Sequence, residues 1–430
     1  MDNKWLFSLL MTCILSSVTL TLVAQTEPGL QLSECQGLAI ARYPLQKQKP
    51  LLREATQLKI EQLDAQRMPT IDWNARATYQ SETVSLPFTL PGQEDAFTVP
   101  KFNGQSSLNA NYLLYDGGLL AANKDLQQLV LEKDLHALEV ALFPIKEQVQ
   151  QLYFGILLRR AQDEVLANTL ADLQQRQANL TAAAKHGVVL AINISKLEVE
   201  MVKLAKRRLD VQGQEESLLA LLGDMIGQPL SVETPLATPS LSEVTFSEDS
   251  RRPELHLFDQ QKGLLLAESK RLDIKRKPKV SAFIQAGVGY ANPLNFFDTN
   301  LSPFAIGGVS FHWNIWDGKQ SQKQKDWLSV QSQLIETQAE TFQFQQDLLD
   351  QQYQKKADAI NALMVQDRQL IALQEEILQQ VNAQLTQGII TSTEYISELN
   401  TQVNAQLELA LHELQLKELK VQYLIKKGIW

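Results

Sequence analysis

Four segments of this chain alternate strictly between apolar and polar positions. Ile71, Trp73, Ala75, Ala77 and Tyr79 alternate with Asp72, Asn74, Arg76, Thr78 and Gln80. Leu108, Ala110, Tyr112 and Leu114 alternate with Ser107, Asn109 and Asn111. Val280, Ala282, Ile284, Ala286, Val288 and Tyr290 form a third apolar row. Val309, Phe311, Trp313 and Ile315 form a fourth, against Ser310, His312 and Asn314. A period of two puts each row on one face of a sheet. The predicted strands run over about 69–81, 105–116, 279–290 and 304–317.

The rest of the pattern is helical and very long. Between Gly118 and Gly187 the only breakers are Gly155 and Pro144, and between Gly318 and Gly388 there are none. At ~1.5 Å per residue such a helix would be about 100 Å long. Leu166, Leu170, Leu173 and Leu180 keep intervals of four, three and seven. Leu197, Leu204, Val211 and Leu218 recur at sevens, and Ile396, Leu399, Val403 and Leu407 at threes and fours. These are narrow coiled-coil seams flanked by polar residues. They fit a helical tube wall wet on both sides, or an ordinary antiparallel coiled coil. Pro144 removes one helix hydrogen bond and is expected to kink the first long helix.

The pattern is written twice. Gly117 and Gly318, Gly187 and Gly388, and Gly227 and Gly428 are each 201 residues apart (318 − 117, 388 − 187, 428 − 227). Pro44 and Pro253, and Pro69 and Pro278, are 209 apart (253 − 44, 278 − 69). The first copy therefore carries eight extra residues (209 − 201) between Pro69 and Gly117, expected in the loop 81–104. The predicted organisation is a first repeat over 25–227 with a helical hairpin over 118–227. A Pro-, Ser- and Thr-rich linker follows over 228–250. A second repeat covers 251–430, with its hairpin over 318–428. In each copy a helical segment (about 33–67 and 252–276) precedes the strands.

A soluble, half-buried sheet would alternate in the same way. Three features favour a membrane. Each segment has about the ten residues that a tilted strand needs to cross a bilayer. Tyr112, Tyr115, Trp313 and Trp316 gather at one end, as an interfacial girdle would. Residues 1–24 also read as a signal peptide, with Lys4 before an uncharged run from Trp5 to Leu22 and Ala24 at the cut. Four strands cannot close a barrel, and an open edge cannot sit in lipid. Several chains must then share one barrel.

A formal charge of −9 argues against nucleic acid as the main partner. Cys35 is the one cysteine left after removal of residues 1–24, so no internal disulfide forms. His136, His186, His256, His312 and His412 make no metal motif. Gly318-Lys319 lacks the rest of a phosphate loop, Gly287-Val288-Gly289 leads into no helix, and there is no nucleophile elbow. No catalytic residue, metal or cofactor is expected.

The doubled Tyr115-Asp116-Gly117-Gly118 and Trp316-Asp317-Gly318-Lys319 resemble the strand-to-helix junctions of the TolC-type outer-membrane efflux family. Gln151-Leu152-Tyr153-Phe154-Gly155-Ile156-Leu157 is similar to its helix motif. Gly187-Val188-Val189-Leu190 and Gly388-Ile389-Ile390-Thr391 resemble its hairpin tips. The resemblance implies a mostly α fold with a transmembrane β part. Duplicated hairpins would form an α-barrel, and four strands per chain would contribute to a shared, trimeric, twelve-stranded β-barrel. The implied function is the channel-tunnel component of a tripartite efflux or type I secretion system, in the outer membrane with a large periplasmic portion. The implied partners are a homotrimer, a periplasmic adaptor (membrane fusion) protein, an inner-membrane transporter and outer-membrane lipid. Adaptor docking falls by position on Gly187, Val188 and Val189, and on Gly388, Ile389, Ile390 and Thr391. An acidic pore gate falls on Glu394, and a second expected acid is not matched at Ser397, although Glu398 is adjacent. The alternative is a periplasmic coiled-coil adaptor or structural protein of an export complex.

Overall fold

The computed structural model describes residues 29–82, 100–185, 189–240, 244–295, 298 and 300–430. Residues 1–24, expected to be a signal peptide, and the tip residues Gly187 and Val188 lie outside this set. The chain order is α1 (Leu32–Arg42), a 3-10 turn (Pro44–Lys47), α2 (Gln48–Ala65), β1 (Thr70–Tyr79), β2 (Phe102–Tyr115), α3 (Leu119–Lys185) and α4 (Ala191–Ile226). Then follow α5 (Pro253–Lys275), β3 (Lys279–Tyr290), β4 (Ser302–His312), α6 (Gln320–Thr386) and α7 (Ser392–Lys427).

The long helices repeat residue for residue. α3 and α6 have 67 residues each, and α4 and α7 have 36 each. Their boundaries keep the glycine offset of 201 (320 − 119, 386 − 185, 392 − 191, 427 − 226). The landmark glycines mark where the backbone turns left-handed: φ is +74° at Gly117, +78° at Gly227, +75° at Gly388 and +74° at Gly428. A side chain disfavours that region.

Two expectations are corrected. The segment 33–67 is not one helix. Tyr43 is extended (φ −60°, ψ 133°) because it precedes Pro44, and the chain restarts in a 3-10 turn. Pro144 removes one rung of α3 without ending it. The fourth strand stops at His312 rather than reaching Asp317. Its partner β3 begins at Lys279, which sits opposite His312, so Trp313 to Asp317 have nothing to pair with. Likewise β2 starts at Phe102 because Tyr79 is there to pair with it.

The four strands form one antiparallel sheet in the order β1-β2-β3-β4. The helices beneath follow that order: α2 packs on α3, α3 on α5, and α5 on α6. α2 leads into β1, β2 into α3, α5 into β3 and β4 into α6, so a four-strand wall continues a four-helix wall. Below, α3 pairs with α4 and α6 with α7, and α7 also packs on α3.

Two apolar cores hold the helices. The middle one joins α1, the centre of α3 and the ends of α4 and α7, with Cys35, Val149, Tyr153, Ile156, Leu222 and Ile425 all buried. The Tyr153 hydroxyl reaches the carbonyls of Leu30 and Ala237, 2.6 Å each, and so ties the bridge Leu30–Leu236 to α3. Burial also pushes the Cys35 thiol up to about 11, with Glu34 adding to the shift. The lower core is built from the predicted sevens: Leu166, Leu173 and Leu180 on α3, and Leu197, Leu204 and Val211 on α4. Leu378 and Leu385 of α6, and Tyr395, Leu399, Val403 and Leu407 of α7, complete it.

The junction above α6 carries a built-in weakness. Gly118 has φ +90°, and its counterpart Lys319 has φ +67° with a side chain. Lys319→Gly is expected to stabilise the protein by about 1 kcal/mol. Gly117→Ala is expected to destabilise it by about 1–2 kcal/mol from φ alone. A Cβ at that position would also lie 2.7 Å from Lys277 Cβ. Thermal unfolding of the two variants should move the midpoint in opposite directions. A fall with Lys319→Gly would overturn the assignment of strain to that residue.

Candidate conduit wall and hairpin tips

The register puts the four predicted apolar rows on a single face. Trp73 lies opposite Leu108, Leu108 opposite Ala286, and Ala286 opposite Ala305. Two residues along, Ile71, Ala110, Ile284 and Gly307 form the next row. Among the described residues none covers this face: Trp73 is 72% exposed, Ile71 71% and Val309 67%. The opposite face carries Asp72, Asn74, Arg76, Asn109, Asn111 and Gln285. Gln285 Nε2 donates to the buried Ser107 Oγ at 3.0 Å. Phe283, Phe304 and Ile306 interrupt the polar face. Phe283 lies opposite Gly308, whose missing Cβ leaves room for the ring, and Phe304 lies opposite Gly287, where a Cβ would instead meet Ser106 O and Ser107 of β2.

Both ends of the sheet carry aromatic residues. Tyr112, Tyr115, Trp313 and Trp316 are exposed at the helix end. At the far end Tyr79 pairs with Phe102, and the Phe102 and Tyr290 rings lie 6.1 Å apart. This second cluster lies beyond the girdle expected at the helix end. Its signal, an aromatic at the far end of three strands, is present in the sequence. β3 has 12 residues. At ~3.4 Å per residue that is about 40 Å along the strand, or about 28 Å of height at a 45° tilt. Among the described residues the sheet has two free edges, β1 and β4. None of the described helices is long and apolar enough to cross a membrane.

Asp116 and Asp317 cap the two long helices. Gly118 N and Leu120 N donate to Asp116 at 2.8 and 2.5 Å. Ser321 N donates to Asp317 at 3.0 Å, and the Ser321 hydroxyl donates to the same oxygen. Those Ser321 bonds, aided by the nearby Arg276, hold the Asp317 carboxyl below its ordinary value. Gly117, Gly118 and Gly318 supply the left-handed turn at each junction.

The tips differ. In the first, Val189 is buried in the lower core and Leu190 is exposed. In the second, Gly388 N donates to Leu385 O (3.1 Å) and Ile389 N to Gln384 O (2.9 Å). Ile389 is 67% exposed and Ile390 packs partly against the lower core. Glu394 has a local partner: its carboxylate accepts from Thr391 N (2.7 Å) and Thr391 Oγ1 (3.1 Å), completing a capping box at the start of α7. Glu398 accepts from Gln374 Nε2 of α6 at 2.8 Å.

The structure also shows a polar seam between the two hairpins that the sequence reading missed. Ser392 N donates to Asn193 Oδ1 (3.2 Å), and Lys196 Nζ donates to Thr393 Oγ1 (2.6 Å). The Arg176 guanidinium sits 5.1 Å from the centre of the Tyr395 ring. These partners are about two hundred residues apart, and no local pattern announces them. Among the described residues no group of three or more His, Cys, Asp or Glu could hold a metal ion. His412 pairs with Asp367 (2.6 Å) and His136 with Glu139 (3.0 Å).

The geometry is a sheet apolar on one face and polar on the other, continued by long helices, with β1 and β4 as its edges among the described residues. Neither a protein-family model nor a curated protein matches the chain. Solved structures do. The outer membrane protein VceC from Vibrio cholerae is 15% identical over 93% of this chain and 97% of its own, with a TM-score of 0.62. The MtrE outer membrane channel of Neisseria gonorrhoeae, in its open state, is 14% identical over 92% and 88%, with a TM-score of 0.58. The CmeC outer membrane channel of Campylobacter jejuni is 12% identical over 92% and 85%, with a TM-score of 0.54. The chain has the fold of these outer-membrane channels along nearly its whole described length.

Proposed function

We propose that this protein is the outer-membrane channel-tunnel component of a tripartite efflux or type I secretion system. It conducts substrates passively from a periplasmic adaptor and an inner-membrane pump to the exterior, and performs no covalent chemistry. The observation that carries this reading is the uncovered sheet, apolar on one face and polar on the other, with two free edges. Such a sheet has no core of its own and is stable only when its edges pair and its apolar face meets lipid.

The flanks are unlike each other: α2 and β1 on one side, α6 and β4 on the other. Contact between unlike flanks of successive copies closes into a ring. Both flanks offer apolar residues for it. Leu51 and Leu58 are exposed on α2, and Trp327, Leu334, Phe344 and Leu348 on α6. Three copies, as the family resemblance implies, give twelve strands and a bore lined by the polar face. The exposed Leu190 and Ile389 suit adaptor docking at the tips, together with Gly187, Val188, Gly388, Ile390 and Thr391, while the buried Val189 would support the first tip from within the lower core. Glu394 would serve as a gate ring only with its capping role intact.

The test is the mass of the detergent-extracted protein, corrected for bound detergent, together with conductance in a planar bilayer. Three chains per particle with discrete current steps are expected. A soluble monomer without conductance would replace this reading with a periplasmic coiled-coil adaptor.

A further inference from the structure

The strand–helix junction of the second copy carries a concentration of positive charge that the first copy lacks. Lys275-Arg276-Lys277-Pro278-Lys279 links α5 to β3 in a chain whose formal charge is −9. At the offset of 209 the first copy reads Gln66-Arg67-Met68-Pro69-Thr70. His312 answers to Asn111 at the offset of 201. The same turn is therefore made once with one cation and once with four. The fold does not require the extra charges.

These groups converge. The end of α5, the start of β3, the end of β4 and the start of α6 enclose a cavity of about 210 Å³, lined by Lys275, Arg276, Lys277, Lys279, His312 and Asn314. One carboxylate, Asp317, also lines it, and it is occupied by the helix-capping bonds from Ser321. The neighbouring Asp273 is held by Lys325 at 2.5 Å. Four cations thus face one ionised carboxylate, which lies beside Arg276, and the lining keeps an excess of three positive charges (4 − 1). Lys279 and His312 are register partners on the polar face of the sheet, the face away from Trp73, Leu108 and Val309. In a closed barrel that face lines the bore.

We propose that this cluster is an anion-binding site in the wall of the bore, where the β-barrel meets the helical tunnel. It takes the phosphate or carboxylate group of a solute in transit. Lys275, Arg276, Lys277 and Lys279 supply charge, and His312 and Asn314 supply further hydrogen bonds. Rings of Lys and Arg favour anions in pores, and low-dielectric walls focus their field. The placement in the bore rests on the channel reading above. The binding of an anion does not.

The test exchanges the cluster for the first copy's own residues, K275Q, K277M, K279T and H312N together, which the same turn already accommodates. A charge-preserving variant, K275R with K279R, controls for folding. Titration of detergent-solubilised protein with inorganic phosphate, followed by calorimetry, should show saturable binding that weakens at least tenfold in the exchanged variant and survives in the charge-preserving one. In bilayers under a KCl gradient, the reversal potential should shift toward cation preference in the exchanged variant, with a several-fold fall in the chloride-to-potassium permeability ratio. Phosphate binding by a protein that forms no channel would support the site and sink the conduit. Absence of phosphate binding by the parent protein, with an unchanged permeability ratio, would overturn the proposal. So would anionic lipid that co-purifies with the parent and is lost from the exchanged variant without a change in selectivity, because the headgroup of a lipid would then be the ligand.

Discussion

An arginine at Leu108 is expected to abolish assembly of the channel, and an arginine at the next residue, Asn109, to leave it standing. Leu108 lies between Trp73 and Ala286 in the middle of the apolar face, whereas Asn109 lies between Asp72 and Gln285 on the polar face. A cation on the lipid face of a barrel near the bilayer midplane costs about 2–4 kcal/mol. Three copies in one barrel raise that to about 6–12 kcal/mol. This is comparable to the whole stability of an ordinary domain, about 5–15 kcal/mol. On the polar face the guanidinium stays in water and costs little. The readout is the amount of trimer in outer-membrane extracts and the frequency of channel insertion in bilayers. Equal tolerance of both substitutions would mean that neither face meets lipid. The reverse order would mean that the sheet is inside out.

The contrast also shows what could be read from the sequence. Period-two alternation is backbone geometry, so the apolar rows were visible before any pairing was known, and the register then placed all four on one face. The landmark glycines were visible for the same kind of reason: at Gly117, Gly227 and Gly428 the chain must turn left-handed. Strand ends were harder, because they are decided by the partner. β4 ends at His312 only because β3 begins at Lys279. The break at Tyr43 follows from Pro44 but is hidden within a longer helical pattern. The family resemblance assigns Glu394 one role, whereas Thr391-Ser392-Thr393-Glu394 also spells a capping box. The basic junction was legible as a run of charge. That it closes around a cavity with His312 depends on contacts between residues far apart in the chain.

The seam between the hairpins is the least legible part of the site, and it predicts the second large effect. If the conduit opens by splaying the hairpins at their tips, the bonds from Asn193 to Ser392 and from Lys196 to Thr393 must break. The first is buried, with Asn193 9% exposed and Ser392 0%. Asn193→Ala strands the Ser392 N–H without an acceptor, a cost to the closed state of about 1–3 kcal/mol. Lys196→Ala removes a more exposed bond and adds about 0.5–1.5 kcal/mol. At about 1.4 kcal/mol per tenfold, the double variant should shift each chain toward the open form by roughly tenfold to a thousandfold. Because α7 packs on α3, release of one hairpin should loosen its neighbour. Leu166, Leu173, Leu180, Leu197 and Leu204 are untouched, so each hairpin should stay folded, and the unfolding midpoint should fall only by the part of the cost that opening does not relieve. The expected result is a several-fold rise in single-channel conductance, and entry of a bulky solute into cells whose outer membrane normally excludes it. An unchanged conductance in a normally assembled, normally stable trimer would show that the gate lies elsewhere, and the seam would then serve only to hold the two hairpins side by side.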